Sequence, residues 1–259
     1  LIQALLSQGH LLKVLSLLDQ SSDSSVSAQG FGGSRIAFLR AALWAGQRAD
    51  VVIFGHAKFS PLARFFPAAQ TYLIAHGTES WEALTPLRRW GIRSTKRIIC
   101  VSAFTREKMA MNGLLKGTEA LIVPNGLPPT LPNIDETAAR QVVGLTEGPR
   151  ILTVSRLSGD NRYKYVDRLI SVMPRLASVR PRVSLTIVGD GEKRARLESL
   201  ARHSRACDRI YFRGSVSEQE LHQFYSACDV FALPSEGEGF GMVYLEAMAH
   251  GKPCVGVKA

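Results

Sequence analysis

Apolar residues along the chain fall into short β-branched runs, separated by stretches in which they recur at helical spacing. The runs predict strands at Leu12–Leu18, Val51–Phe54, Thr71–Ala75, Arg97–Val101, Ala120–Val123, Arg150–Val154, Ser184–Val188, Arg209–Phe212, Val230–Leu233 and Cys254–Val257. Most are nearly continuous rather than alternating, as expected of parallel strands covered on both faces. Helical spacing covers Arg162–Leu176, Glu192–His203, Ser217–Ser226 and Met242–His250, and Ser102 is placed to cap a further helix. Repeated strand–helix alternation predicts an α/β fold with parallel sheets.

The segment Pro124–Pro149 breaks the series. It is rich in proline, carries the turn pair Asn125–Gly126, and holds one helical stretch near Glu136–Val143. Such composition marks a connection between domains. The expected organisation is a first domain over residues 1–123, a connection over 124–149 and a second domain over 150–259. The opening residues read as the end of a helix followed by a strand, with no Met, and the chain stops just after a strand. Both features lead to the expectation of a fragment, lacking a first strand at one end and closing helices at the other.

Hydrophobic content of 46% and charged content of 21% are ordinary for a globular chain with a real core. No apolar run reaches the ~18 residues that would cross a bilayer, and the start lacks the pattern of a secretory signal. Cys100, Cys207, Cys228 and Cys254 form no C-x-x-C pair, so they are expected to be reduced, buried thiols of a cytoplasmic protein. The net charge is +10, and both halves contribute to it. Basic charge attracts phosphates, nucleic acid and anionic lipid alike. A nucleic-acid partner is not expected, because no recognition motif or basic stripe with interleaved aromatics is present.

The most informative stretch runs from Pro234 to Pro253, Pro-Ser-Glu-Gly-Glu-Gly-Phe-Gly-Met-Val-Tyr-Leu-Glu-Ala-Met-Ala-His-Gly-Lys-Pro. A strand enters a Gly-rich turn, and a helix leaves it near Met242. Gly237, Gly239 and Gly241 allow close approach of a ligand, and the helix N-terminus presents free N–H groups suited to a diphosphate. Glu238 and Glu246 stand eight positions apart, able to accept hydrogen bonds from vicinal hydroxyls at two points of one ligand. A Gly-rich turn that merely packs a helix on a sheet is the plainer alternative.

This stretch resembles the E-x7-E signature of the family 4 glycosyltransferases of the GT-B fold, down to the E-A-M-A-x-G-x-P that follows. The resemblance implies two Rossmann-like domains facing a cleft. It implies transfer of a hexosyl group, with retention, from a nucleotide-diphosphate sugar to an acceptor hydroxyl. By the same likeness Glu238 contacts the donor sugar and Glu246 the nucleotide ribose, with Gly239, Phe240, Gly241 and Met242 shaping the donor site.

A second stretch, Ile151–Tyr165, contains Ser155-Arg156-Leu157 and Lys164-Tyr165. The family's G-R-L and K-G supply cations to the diphosphate there. Arg156 and Lys164 are retained, while both glycines are replaced, by Ser155 and Tyr165. Val188-Gly189-Asp190-Gly191 is similar to the family's V-G-D-G and places Gly189 at the donor; it is not a dinucleotide fingerprint, because Arg194 stands where a third Gly would be. Phe212–Val216 resembles the strand ending near the base, which places Val216 there. His76-Gly77 resembles the first-domain His-Gly facing the cleft, although a lone His is as often structural.

No D-x-D occurs, which argues against a metal-dependent transferase, and no cofactor is expected beyond the donor itself. Phosphate-loop and hydrolase-elbow motifs are missing as well. Two alternatives remain at this stage: a sugar-nucleotide epimerase of the same fold, and a non-catalytic module that binds sugar nucleotide. The acceptor is unknown, and a lipid-linked one is open because of Trp81–Arg97. That stretch sets Trp81, Leu84, Leu87 and Trp90 at helical spacing beside Arg88, Arg89, Arg93, Lys96 and Arg97. Packing of the apolar stripe on the sheet is one reading; peripheral contact with the inner face of a membrane is the other. Pro86 and Gly91 are expected to interrupt a single long helix.

Overall fold

The computed structural model describes the chain apart from residues 1, 22, 24–26, 83, 129–130, 133, 145–147, 159–163 and 258–259. It divides into two compact units, Leu1–Pro124 and Asn125–Ala259.

The first unit opens with α1 (Ile2–Ser7), then pairs β1 (Val14–Ser16) in parallel with β2 (Ala28–Gly30). After α2 (Arg35–Gly46) comes a four-stranded parallel sheet of β3 (Val51–Phe54), β4 (Gln70–Ala75), β5 (Arg97–Cys100) and β6 (Glu119–Ile122), in that order. A 3-10 helix (Ala57–Phe65), α3 (Pro86–Ser94) and α4 (Ala103–Met111) make the crossovers. Leu73, Ile98 and Cys100 of the sheet are sealed under Phe54, Phe66, Ile92 and Met109. Ser102 caps α4 as its sequence position predicts, its Oγ accepting from the Thr105 N–H at 3.0 Å. No single helix runs through Trp81–Arg97, as expected of Pro86: α3 starts at it, since a first-turn residue needs no N–H partner. Gly91 lies inside α3, where a Cβ would collide with Pro61 of the 3-10 helix; the helix keeps Gly for close packing rather than breaking there.

The second unit begins with α5 (Glu136–Val142), followed by β7 (Arg150–Val154), α6 (Val166–Val179), β8 (Ser184–Val188), α7 (Arg194–Arg202), β9 (Ile210–Gly214), α8 (Glu218–Ala227), β10 (Val230–Ala232), α9 (Met242–Ala249) and β11 (Cys254–Val255). The strands form one parallel sheet in the order β11-β10-β7-β8-β9. Leu152, Leu185, Ile187 and Phe231 are fully covered, with Ile170, Met173 and Tyr225 packed over them. Residues assigned to the connection belong to this core: Ala139 and Val143 are buried, and Arg140 reaches Asp229 Oδ1 at 2.8 Å. Asp229 also accepts from the Arg150 N–H at 2.8 Å, so one carboxylate joins α5 to β7.

The strands and helices fall where the hydrophobic pattern sets them, with ends shifted by a few residues. The predicted start of α6 at Arg162 lies outside the described residues. The short β2, Ala-Gln-Gly, carries no apolar run and escaped the pattern. The cysteines are free, but only Cys100 and Cys228 are buried; Cys207 is exposed at the start of a short 3-10 helix and Cys254 is half-buried, which corrects the expectation of four buried thiols.

Candidate donor site

In the second unit the Gly-rich turn joins β10 to α9. The turn is pinned at its base by the Leu233 N–H donating to the Val255 carbonyl at 3.0 Å, and by the Tyr244 hydroxyl donating to the Leu233 carbonyl. Gly241 precedes α9 with φ of +86°, a left-handed conformation that suits glycine. The first amides of α9, from Met242 on, therefore start at a sharp turn, with Gly239 and Phe240 just before it.

Carboxylates of this turn reach the start of α6. Lys164 Nζ contacts Glu238 Oε1 in an ion pair whose side chains are about four-fifths buried. Glu236 accepts from the Tyr165 hydroxyl at 3.0 Å and from Arg168 at 3.1 Å. Tyr165 has φ of +48°, the left-handed region that the family glycine would occupy without cost. Its hydrogen bond to Glu236 and the Arg168 guanidinium lying 3.7 Å from its ring centre hold a tyrosine in that conformation.

The loops after β7 and β8 touch. A Cβ on Gly189 would overlap the Ser155 carbonyl oxygen, and φ there is +127°. The Ser155 N–H donates to Val188 O at 3.0 Å, and the Leu157 N–H donates to Asp190 O at 2.9 Å. The Gly189 N–H donates to Gly214 O at 2.8 Å, so the end of β9, two residues before the half-buried Val216, joins the same set of loops. Arg194 serves as a clamp, donating to Asp190 at 2.8 Å and Glu198 at 2.7 Å. The Gly191 N–H and Arg194 hold the Asp190 carboxyl below the usual carboxylate range. Arg156 and Lys164 line a cleft of about 440 Å³ together with Lys193 and Arg196, over a floor that includes Leu157 and Leu197. Lys193 and Arg196 were not singled out from sequence. Their position on the first turns of α7, just past Gly191, is the signal that could have found them.

Glu246 lies further along α9, half-buried, where its Oε2 accepts from the Tyr225 hydroxyl at 2.7 Å. Residues 135–259 match the family Glycosyl transferases group 1. The chain belongs to the group 1 glycosyltransferases. It is 30% identical over 231 residues to the GDP-mannose-dependent alpha-(1-6)-phosphatidylinositol monomannoside mannosyltransferase of Mycolicibacterium smegmatis, which covers 82% of this chain and 57% of that protein. It is 28% identical over 197 residues to the N-acetyl-alpha-D-glucosaminyl L-malate synthase of Bacillus anthracis, covering 71% of this chain and 48% of that one. The chain thus spans about half the length of these curated relatives. The crystal structure of Anabaena HepE in complex with UDP-glucose shares the fold, with a TM-score of 0.74 over 99% of this chain and 70% of that one, at 22% identity.

The first unit carries His76, exposed at the carboxyl end of β4. Glu79 organises the turn after it: Oε1 accepts from the His76 and Gly77 N–H groups at 2.9 and 3.1 Å, and from the Ser80 hydroxyl at 3.0 Å. His56, missed in the sequence, follows the neighbouring strand β3, with burial and Lys58 pushing its pKa down. Two adjacent parallel strands each ending near a His was the available signal.

The basic aromatic stretch splits. Trp81 is buried edge-on against Phe104 and Leu84 packs on the core, whereas Leu87 and Trp90 are 62% and 45% exposed. Pro86 begins a new helix between the two pairs, so they do not share one face. Arg89 and Arg93 donate to the Asn112 and Gly113 carbonyls at 3.2 and 2.8 Å, and Arg97 pairs with Glu119. Arg64 stands over the Trp90 ring at 5.8 Å, beside the exposed Phe65. Among the described residues no helix is long and apolar enough to cross a membrane.

Proposed function

We propose that this chain carries out retaining, metal-independent hexosyl transfer from a nucleoside diphosphate sugar to an acceptor hydroxyl, in glycan, polysaccharide or glycolipid synthesis. The observation that carries the reading is the Lys164–Glu238 contact, which joins two motifs 74 residues apart in one place. A diphosphate entering there competes with Glu238 for Lys164 and releases the carboxylate to sugar hydroxyls. Arg156, Lys164 and the first amides of α9 stabilise the charge that grows on the departing diphosphate, an electrostatic contribution made without a metal. Glu246 binds the ribose, Gly189 and Val216 border the nucleotide, and His76 serves the acceptor side. A front-face route, with the leaving phosphate helping to take the acceptor proton, follows from the family resemblance.

For the acceptor we favour a lipid-linked hydroxyl, reached from the cytoplasmic face. The Mycolicibacterium relative is named for a phosphatidylinositol acceptor, and Leu87, Trp90 and Phe65 expose apolar surface beside Arg64 and Arg88. Such a surface suits an anionic bilayer. The test is an assay of UDP- and GDP-sugars against lipid and soluble acceptors, with the product anomer read by NMR. Retained configuration in a glycoside product supports the reading. Donor epimerised without acceptor, or binding without turnover, overturns it.

A further inference from the structure

We propose that Tyr225 is a positioning residue for donor binding, holding the Glu246 carboxylate in the orientation that ribose hydroxyls require. This rests on the placing of the ribose at Glu246. Tyr225 has no exposed surface, and its ring is fixed from two sides, 6.0 Å from Phe231 of β10 and stacked 5.8 Å from His250 at the end of α9. His250 is itself held, with Nδ1 3.0 Å from Ser226 Oγ and Nε2 2.9 Å from His222 Nδ1. The Tyr225 hydroxyl is therefore at a fixed point. Burial and the Glu246 carboxylate push its pKa far above the ordinary phenol value, so it stays a donor at any working pH.

The Glu246 carboxylate has no other hydrogen-bond partner among the described residues. Its Oε2 is taken by Tyr225, which leaves Oε1 to accept from a ribose hydroxyl. A glutamate side chain free to rotate loses freedom when a ligand orders it. Tyr225 orders it beforehand, and pre-ordering of this kind appears as affinity. Nothing in the spacing of α8 marks Tyr225 as more than a core aromatic.

The test titrates UDP, GDP and ADP into the protein, takes the tightest, and compares it with its 2′- and 3′-deoxy forms against Tyr225→Phe and Glu246→Gln. Tyr225→Phe should lose about 5- to 10-fold in affinity for the ribonucleotide, the scale of one hydrogen bond. It should bind a deoxy form as the parent does, and raise donor KM with little change in kcat. Equal loss for ribo and deoxy ligands would mean general packing and overturn the proposal, as would no loss. If Glu246→Gln leaves ribonucleotide affinity unchanged, the ribose reading falls and this proposal with it. If Glu246→Gln weakens binding and Tyr225→Phe does not, only this proposal falls. Should Tyr225→Phe not fold, Glu246→Asp draws the carboxylate back from the intact phenol; it should lose the ribo preference, and full retention would count against the idea.

Discussion

In the second unit, the loops after β7, β8 and β10 are tied to one another by side chains, Lys164 to Glu238 and Tyr165 and Arg168 to Glu236, and by a backbone bond from the Leu157 N–H to the Asp190 carbonyl. In the first unit, the turn after β4 is closed locally, by Glu79 bonding to residues within three positions of it. The outer helix α3 of that unit leaves Leu87 and Trp90 uncovered. Long-range polar ties preorganise a site for a ligand of fixed chemistry, which a nucleoside diphosphate is. A locally closed turn puts fewer constraints on a partner than ties of that kind.

The largest expected effect separates chemistry from folding in the second unit. Arg156→Ala and Lys164→Ala should each lower kcat on the order of 100-fold, the scale of losing one preorganised charge in a transition state. The melting temperature of Arg156→Ala should stay close to the parent's, because an exposed charge contributes little to stability, whereas Lys164→Ala should melt several degrees lower, since the mostly buried Glu238 loses its partner. Steady-state kinetics beside a thermal melt decides; a variant with normal kcat removes that residue from the leaving-group role.

A smaller effect is expected in the first unit. Leu87→Ser/Trp90→Ser should cut sedimentation with anionic vesicles several-fold at low salt, since burial of apolar side chains and basic charge act together there, and should leave donor affinity unchanged. A parent that stays in the supernatant removes the membrane role.

A weaker dependence should appear with pH. Burial is the main cause lowering the pKa values of both His56 and His250, so the unfolded chain binds their protons more readily. Their stabilising contribution is present above the unfolded value of about 6.5, and it declines as pH falls below that value. Melts from pH 7.5 to 5 should show the decline, and His56→Gln and His250→Gln should each flatten it. The smallest effect is none: turnover should survive EDTA, because cations of the chain act on the diphosphate. A rate that collapses with chelator and returns with Mg2+ or Mn2+ would contradict that assignment.

Much of this was legible in the chain. Val51–Phe54, Arg150–Val154 and Ser184–Val188 are apolar or nearly continuous apolar runs, and the strands occupy those limits. Arg156, Lys164, Glu238 and Glu246 could each be singled out from local motifs. Their contacts could not, because nothing in local spacing says that residues 74 positions apart will pair. Tyr165 stands where the family pattern has glycine, yet the distant Glu236 and the nearby Arg168 hold it at a positive φ. The stripe from Trp81 to Trp90 had the right period and the wrong continuity, since the helix begins only at Pro86.

The central claim is that Lys164 and Glu238 face a donor rather than merely fastening α6 to the Gly-rich turn. Exchange of the two charges, Lys164→Glu/Glu238→Lys, keeps an ion pair available while placing an anion where the diphosphate should sit. Calorimetry with UDP- and GDP-sugars on the exchanged protein tests the claim directly. The account predicts a melting temperature within a few degrees of the parent, since the exchange leaves neither buried charge without an opposite partner, together with donor affinity lowered at least about 10-fold and no turnover. An exchanged protein that binds and turns over donor like the parent would show the pair to be a fastening only.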